Sequence, residues 1–243
     1  MNSYMNFWDK IFNFFGGIWD SFYQSVIYDN RYEFIFKGLL NTIIIAIGAA
    51  IIGIVIGIVS ALIRNNHDMN GKMKIGNKLS KWYVDIIRGT PSILQLMIIY
   101  YVIFKSVNIN IVIVGILAFG INSGAYVSEI IRAGINSVDK GQFEAGYGLG
   151  LSYGKVMRYI ILPQAFKNIL PAMGNEFITL VKETAVGAYI GIVELTKASD
   201  IIASRTYDYF FPLIIIAIIY FAITLSLTKL FSRIERRLNN VRS

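Results

Sequence analysis

The sequence predicts an all-α integral membrane protein, with five transmembrane helices and an N-terminal interfacial helix. Three observations carry this. The 243 residues are 55% hydrophobic and 16% charged, where a soluble domain carries about a quarter charged residues. Uncharged runs occupy Gly38–Ile63, Gly89–Phe104, Ser106–Ser128 and Tyr209–Thr228, matching or approaching the roughly 20 apolar residues of a spanning helix. The net charge of +8 collects in particular polar segments, as it does where Lys and Arg mark the cytoplasmic side of a membrane protein. A soluble enzyme, a disordered chain and a nucleic-acid binder do not fit this pattern.

Each element has its own signal. In residues 6–28, Phe7, Ile11, Phe15, Ile18, Phe22 and Val26 recur every three or four positions, with Asp9, Lys10, Asn13 and Asp20 between them. That period is helical but too polar to span, so residues 1–33 are expected to lie in the membrane interface. No signal peptide is expected, because acidic Asp9 precedes the first basic residue, Lys10.

The first span is expected from Phe34 to Ile63, with Gly53 and Gly57 as a small-residue packing face. A basic loop from Arg64 to Lys81, holding the lone His67, precedes a second helix over Trp82–Phe104. A turn at Lys105–Asn110 leads to a third helix, Ile111–Ala133. Residues 134–171 are polar and glycine-rich. A fourth span over Ala172–Thr196 carries Glu176, Lys182, Glu183 and Glu194, and a fifth covers Phe210–Leu230 before a basic tail. Residues 34–243 thus form one transmembrane domain. With the 64–81 loop inside, sixteen of the 23 Lys and Arg fall on the cytoplasmic side and six outside. This predicts a multi-pass membrane protein with an outside N-terminus and a cytoplasmic C-terminus.

The chain has no cysteine, one histidine and no phosphate-cradling Gly-x-x-x-x-Gly-Lys-Ser/Thr. No metal site, catalytic constellation or nucleotide site of its own is therefore expected.

The 134–171 segment holds Glu144, Ala145 and Gly146, then Gly150, then Ile160, Leu162 and Pro163. It resembles the Glu-Ala-Ala (EAA) loop of ABC importer membrane subunits, with Gly146 at the usual second alanine. Two short helices, about Gly141–Leu149 and Tyr153–Ile161, are expected on either side of Gly150, with Ser152 as a candidate N-cap. The segment Arg88-Gly-Thr-Pro-Ser-Ile-Leu-Gln95, the run from Gly124 through Glu129 to Arg132, Asn41-Thr42 and Leu162-Pro-Gln-Ala are similar to the same positions of polar amino acid importers. The chain is thus identified as a member of the histidine/glutamine/arginine-type permease family, although Lys182-Glu-Thr-Ala-Val departs from the more frequent Lys-Asp/Ser-Thr-Ser-Leu.

The resemblance implies a type I ABC importer permease fold, a place in a bacterial inner membrane and no enzymatic activity in this chain. ATP and Mg would sit on separate ATPase subunits, engaged through Glu144, Ala145, Gly150, Leu162 and Pro163. It also implies a second permease subunit, identical or similar, and an extracytoplasmic substrate-binding protein.

Ionisable groups within a membrane need partners or water. Glu176, Thr179, Glu183, Gly187 and Glu194 share one face of the fourth span, with Lys182 beside it. Asn122, Tyr126 and Glu129 share a face of the third helix, and Arg88, Ser92 and Gln95 one of the second. The first and fifth spans show no such stripe. Gln95, Asn122, Tyr126, Thr179, Lys182 and Glu183 are the candidate substrate contacts. Glu183 would meet an amino acid's ammonium and Lys182 its carboxylate; alternatively the two satisfy each other or partners across a subunit interface. Glu129 and Arg132 read as a structural i,i+3 pair. The alternative functions are a permease for another small solute such as methionine, or an ion channel or membrane sensor.

Overall fold

The computed structural model describes residues 16–240. Every regular element in them is helical. Residues 16–22 form α1, continued by a π turn at Tyr23–Ile27 and a 3-10 turn at Tyr28–Asn30. The rest of the expected interfacial helix, residues 6–15, lies outside the described residues. Asp29 and Asn30 take positive φ, a conformation that short polar side chains tolerate, and so turn the chain into the first long helix.

That helix, α2, runs from Tyr32 to Asn70. Its β-branched residues are mediocre helix formers in water, but in hydrocarbon a helix is the one way a single segment satisfies its own backbone. It does not stop at Ile63. It continues through Arg64 and His67 to Gly71, which caps it at φ +63° and donates to His67 O at 2.8 Å. The expected 64–81 loop therefore shrinks to Gly71–Met73. His67 is helical and shares a 2.9 Å hydrogen bond with Asn77.

The second span is broken. α3 (Lys74–Gly89) and α4 (Ser92–Ile98, prolonged by a π turn at Ile99–Ile103) meet at 110°. Pro91 is the cause: it pushes the preceding Thr90 to an extended conformation (φ −127°, ψ 150°), which ends α3. α5 (Ile111–Asn136) starts where expected, with Asn110 Oδ1 accepting from Val112 N at 2.9 Å.

The expected fourth span is also divided. α6 (Lys140–Gly148) and α7 (Tyr153–Val156) lead through a π turn at Met157–Ile161 into α8 (Leu162–Glu183). A 3-10 turn, Thr184–Ile190, and Gly191 at φ +90° then separate α8 from α9 (Leu195–Thr206), an element the sequence did not suggest. The chain closes with α10, Phe210–Asn240. Among the described residues α2, α5 and α10 are long and apolar enough to cross a membrane, and the bent α3–α4 pair makes a fourth. α8 has the length, but Lys167, Glu176, Lys182 and Glu183 interrupt its apolar character.

α2 and α5 form the main seam, and small residues close it from both sides. An added Cβ would lie 2.4 Å from Val127 Cγ1 at Gly57 and 3.0 Å from Ser123 Cβ at Gly53. From α5, Gly120 and Gly124 meet Ile52 and Ile56 at 2.8 and 2.9 Å. Such close approach maximises dispersion where no hydrophobic effect acts between helices in lipid. α2 is not free of polar groups: Ser128 Oγ donates to Ser60 Oγ at 3.0 Å, and Asn41 Nδ2 donates to Val193 O at 2.8 Å. A core of Ile45, Leu96, Phe119, Leu180 and Ile192 ties α4, α5 and the end of α8 to α2.

Candidate functional site

Two groups of side chains stand out, one within the helices and one on the α6–α7 hairpin. Within the helices, the break at Pro91 exposes backbone that Gln95 covers. Its Nε2 donates to Ile87 O at 2.8 Å, Thr90 O at 3.1 Å and Thr90 Oγ1 at 2.8 Å, while its Oε1 accepts from Asn122 Nδ2 at 2.8 Å. Gln95 and Asn122 are thus joined, and their amides brace the broken helix against α5. Tyr126 lies one turn on, with the Arg88 guanidinium 5.6 Å from its ring centroid.

Glu129 holds more than its expected i,i+3 partner. Arg132 lies 3.5 Å away, but Arg64 of α2 donates to the same carboxylate, and Arg88 of α3 sits at 3.6 Å. Arg132 also pairs with Asp68 at 2.8 Å. This network ties α2, α3 and α5 together. The Arg64 and Arg88 contacts, 65 and 41 positions along the chain, were not legible in local spacing.

Thr179 and Lys182 are exposed and Glu183 is half-buried on the last turn of α8. Among the described residues, Lys182 and Glu183 form no salt bridge with each other, and none of the three bonds to Gln95, Asn122 or Tyr126. Glu176, one turn earlier, accepts from Ser123 Oγ at 2.7 Å. Glu194 is not on this face. It is fully buried at the start of α9, accepting from Thr196 N at 2.7 Å, Lys197 N at 2.6 Å and the Tyr220 hydroxyl at 3.0 Å. It is an N-cap that ties α9 to α10. Gly187 and Gly191, inside an apolar run, were the available signal that one helix does not extend from Ala172 to Thr196. A cavity of about 780 Å3 lies between α2, α5, α8 and α10, with walls from Ile54, Val127, Met173 and Phe231, and the Ser123–Glu176 pair lines it.

The hairpin is built from backbone geometry upward. Asp139 Oδ1 accepts from Gly141 N at 2.7 Å and starts α6. α6 ends in paired bonds, Leu151 N to Gly146 O at 3.2 Å and Gly150 N to Tyr147 O at 2.9 Å, around Gly150 at φ +72°. This is a Schellman turn with glycine in the left-handed position. Ser152 stands at the N-cap of α7, but its hydroxyl makes no capping bond. Gly146 is buried: an added Cβ would lie 2.9 Å from Val156 Cγ2 and 3.0 Å from Ile160 Cδ1. The absent methyl lets α6 settle onto the following turn.

Ile135, Val156, Met157, Ile161 and Ala165 form the core below, so the hairpin is fixed to the end of α5. Burial, and then neighbouring Tyr147, push the Tyr153 hydroxyl above its usual value, which keeps it neutral. Glu144, Ala145, Gly150, Leu162 and Pro163 are all exposed, together with Tyr147 and Leu149. They form a rigid, partly apolar projection.

Residues 53–240 match the family described as binding-protein-dependent transport system inner membrane component. The chain belongs to this family. A putative glutamine transport system permease protein from Rickettsia bellii is 41% identical over 207 residues, covering 84% of this chain and 93% of the relative. An arginine transport system permease protein from Bacillus subtilis is 42% identical, covering 85% and 93%. A solved amino acid ABC transporter, described as crystallised with histidines, is 45% identical over 85% of this chain and 94% of its own, with TM-score 0.78. An inward-facing methionine ABC transporter is 18% identical, with TM-score 0.72 over 87% of this chain and 99% of that one, and shares the fold. This membrane component therefore has the type I importer permease fold, and its family role is transport.

Proposed function

We propose that this chain is the permease subunit of an ATP-driven importer for polar amino acids. The observation that carries the proposal is the likeness to permeases named for glutamine and arginine, at 41% and 42% identity over most of both chains. A methionine permease is disfavoured, since that transporter is 18% identical. A channel or sensor would have no use for a rigid, exposed hairpin carrying Glu144 and Gly150. In this reading two permease subunits, identical or similar, form the path by alternating access. Two separate ATPase subunits hold ATP and Mg and grip the hairpins, and an extracytoplasmic binding protein delivers substrate. Gln95, Asn122, Tyr126, Thr179, Lys182 and Glu183 are the proposed substrate contacts.

The test is reconstitution of the chain with its ATPase and binding protein in vesicles. ATP-dependent uptake of labelled arginine or glutamine is expected, suppressed by unlabelled polar amino acids and not by methionine. Uptake of methionine alone would overturn the substrate class, and ion conductance without ATP would overturn the transporter reading.

The orientation is tested independently. In this cysteine-free chain, Lys72→Cys is expected to resist an impermeant thiol reagent in intact cells, and Asn108→Cys to react. The reverse labelling would invert the topology.

Coupling is tested at Gly150. A Cβ there meets nothing within 4 Å, so any effect of Gly150→Leu comes from the positive φ. That conformation costs about 1–2 kcal/mol for an ordinary L-residue. Co-purification of the ATPase is expected to fall about tenfold in Gly150→Leu and to recover in Gly150→Asn, since Asn tolerates the left-handed region. Full transport by the leucine variant would remove Gly150 from the coupling role.

A further inference from the structure

α3 carries a second feature that transport does not explain. Ile75, Leu79, Trp82 and Ile86 recur at helical spacing along one face, and each is more than half exposed. Ser80 and Val84, on the opposite face, are buried against the bundle. Lys72, Lys74 and Lys78 lie at the start of this stripe, exposed, and among the described residues none of them forms a salt bridge.

Depth decides what such a face meets. Gly76 packs beside Ile63, where an added Cβ would lie 3.1 Å from Ile63 Cγ2. Ile63 is the last residue of the apolar run of α2, just before Arg64. From Ile75 to Ile86 the helix rises about 16 Å, close to half of the roughly 30 Å hydrocarbon core. The stripe thus covers the depth of one leaflet, and the three lysines stand at its headgroup boundary. Lysine stems lie along apolar surface with their ammonium groups in the headgroup layer.

We propose that the α2–α3 corner is a binding site for an anionic phospholipid of the leaflet on the lysine-rich side, and this goes beyond the transport reading. The headgroup phosphate lies on Lys72, Lys74 and Lys78, and an acyl chain runs along Leu79, Trp82 and Ile86. Unpaired positive charge at the headgroup level selects for a lipid of negative charge, and the apolar stripe of one-leaflet length supplies the chain contact.

Trp82 is the reporter. In the full-length chain with Trp8 and Trp19 replaced by Phe, quenching of Trp82 is measured in nanodiscs holding brominated phosphatidylglycerol or brominated phosphatidylcholine as the minor lipid. The expected result is a five- to tenfold preference for phosphatidylglycerol, which is about the effect of one to two lysine contacts. Salt should lower it, and the triple variant Lys72→Gln, Lys74→Gln, Lys78→Gln should bring it to about one. Among the described residues these exposed lysines form no salt bridge, so the variant is expected to fold. Equal quenching by both lipids in the parent chain would overturn the headgroup selectivity. Absence of quenching by either would overturn lipid contact altogether and indicate that a second copy of the chain covers the stripe.

Discussion

Replacing Gly57 by leucine is expected to keep the α2–α5 pair from closing. The Cβ alone would lie 2.4 Å from Val127 Cγ1, 2.6 Å from Val127 Cβ and 3.0 Å from the backbone N of Ser128. Val127 is itself buried, and the Ser128 backbone is held within α5. Overpacking a tight seam costs about 1–3 kcal/mol, and this site belongs at or above the upper end because backbone must shift. A domain of this size then loses roughly 6–12 °C of melting temperature. Gly57→Leu should reduce the yield of monodisperse protein in detergent and lower its unfolding temperature. Gly154→Ala is the control: a Cβ there meets nothing within 4 Å and should change little. A Gly57→Leu protein of unaltered melting temperature would show that α2 and α5 approach less closely than the structure has them.

The second large effect is expected at Glu183. Its carboxylate is half-buried and, among the described residues, has no salt bridge or hydrogen bond, while Lys182 points to an exposed position. A charge that no salt bridge or hydrogen bond engages among the described residues is available to a substrate ammonium or to a second subunit. Glu183→Gln keeps the shape and removes the charge. If Glu183 meets the ammonium, transport should fall ten- to hundredfold, the size of a lost charge-assisted hydrogen bond. Substrate stimulation of ATPase activity should fall with it, while assembly and basal hydrolysis survive. A structural role across the subunit interface would instead show as poor assembly. An assembled variant with unchanged transport would remove Glu183 from both roles. Lys182→Gln should weaken transport without loss of folded protein, because among the described residues the exposed lysine forms no salt bridge or hydrogen bond.

The sequence by itself determined the fold class, the apolar segments that reach across a membrane and the family. Each of these depends on local quantities. Transfer free energy sums along a run such as Gly38–Ile63, and the motif around Glu144, Gly150 and Pro163 keeps fixed spacing because a single turn fixes it. Gly150 was legible for that reason: the Schellman geometry involves residues within six positions of one another.

The tertiary structure decided the rest. Pro91 was visible in the sequence, but a 110° break is tolerable there because Gln95 satisfies carbonyls that the break frees, and Asn122, 27 positions further on, holds the Gln95 amide in place. Glu129 looked like one half of a local pair and is the centre of three arginines, since α2 and α3 bring Arg64 and Arg88 beside it. Glu194 looked like part of a polar stripe and is a buried cap, because the helix ends at Glu183 and the chain turns through Gly191 before resuming. In each case periodicity states which side chains share a face if a helix continues. Whether it continues depends on whether distant groups can supply the hydrogen bonds that an interruption leaves open in a medium without water.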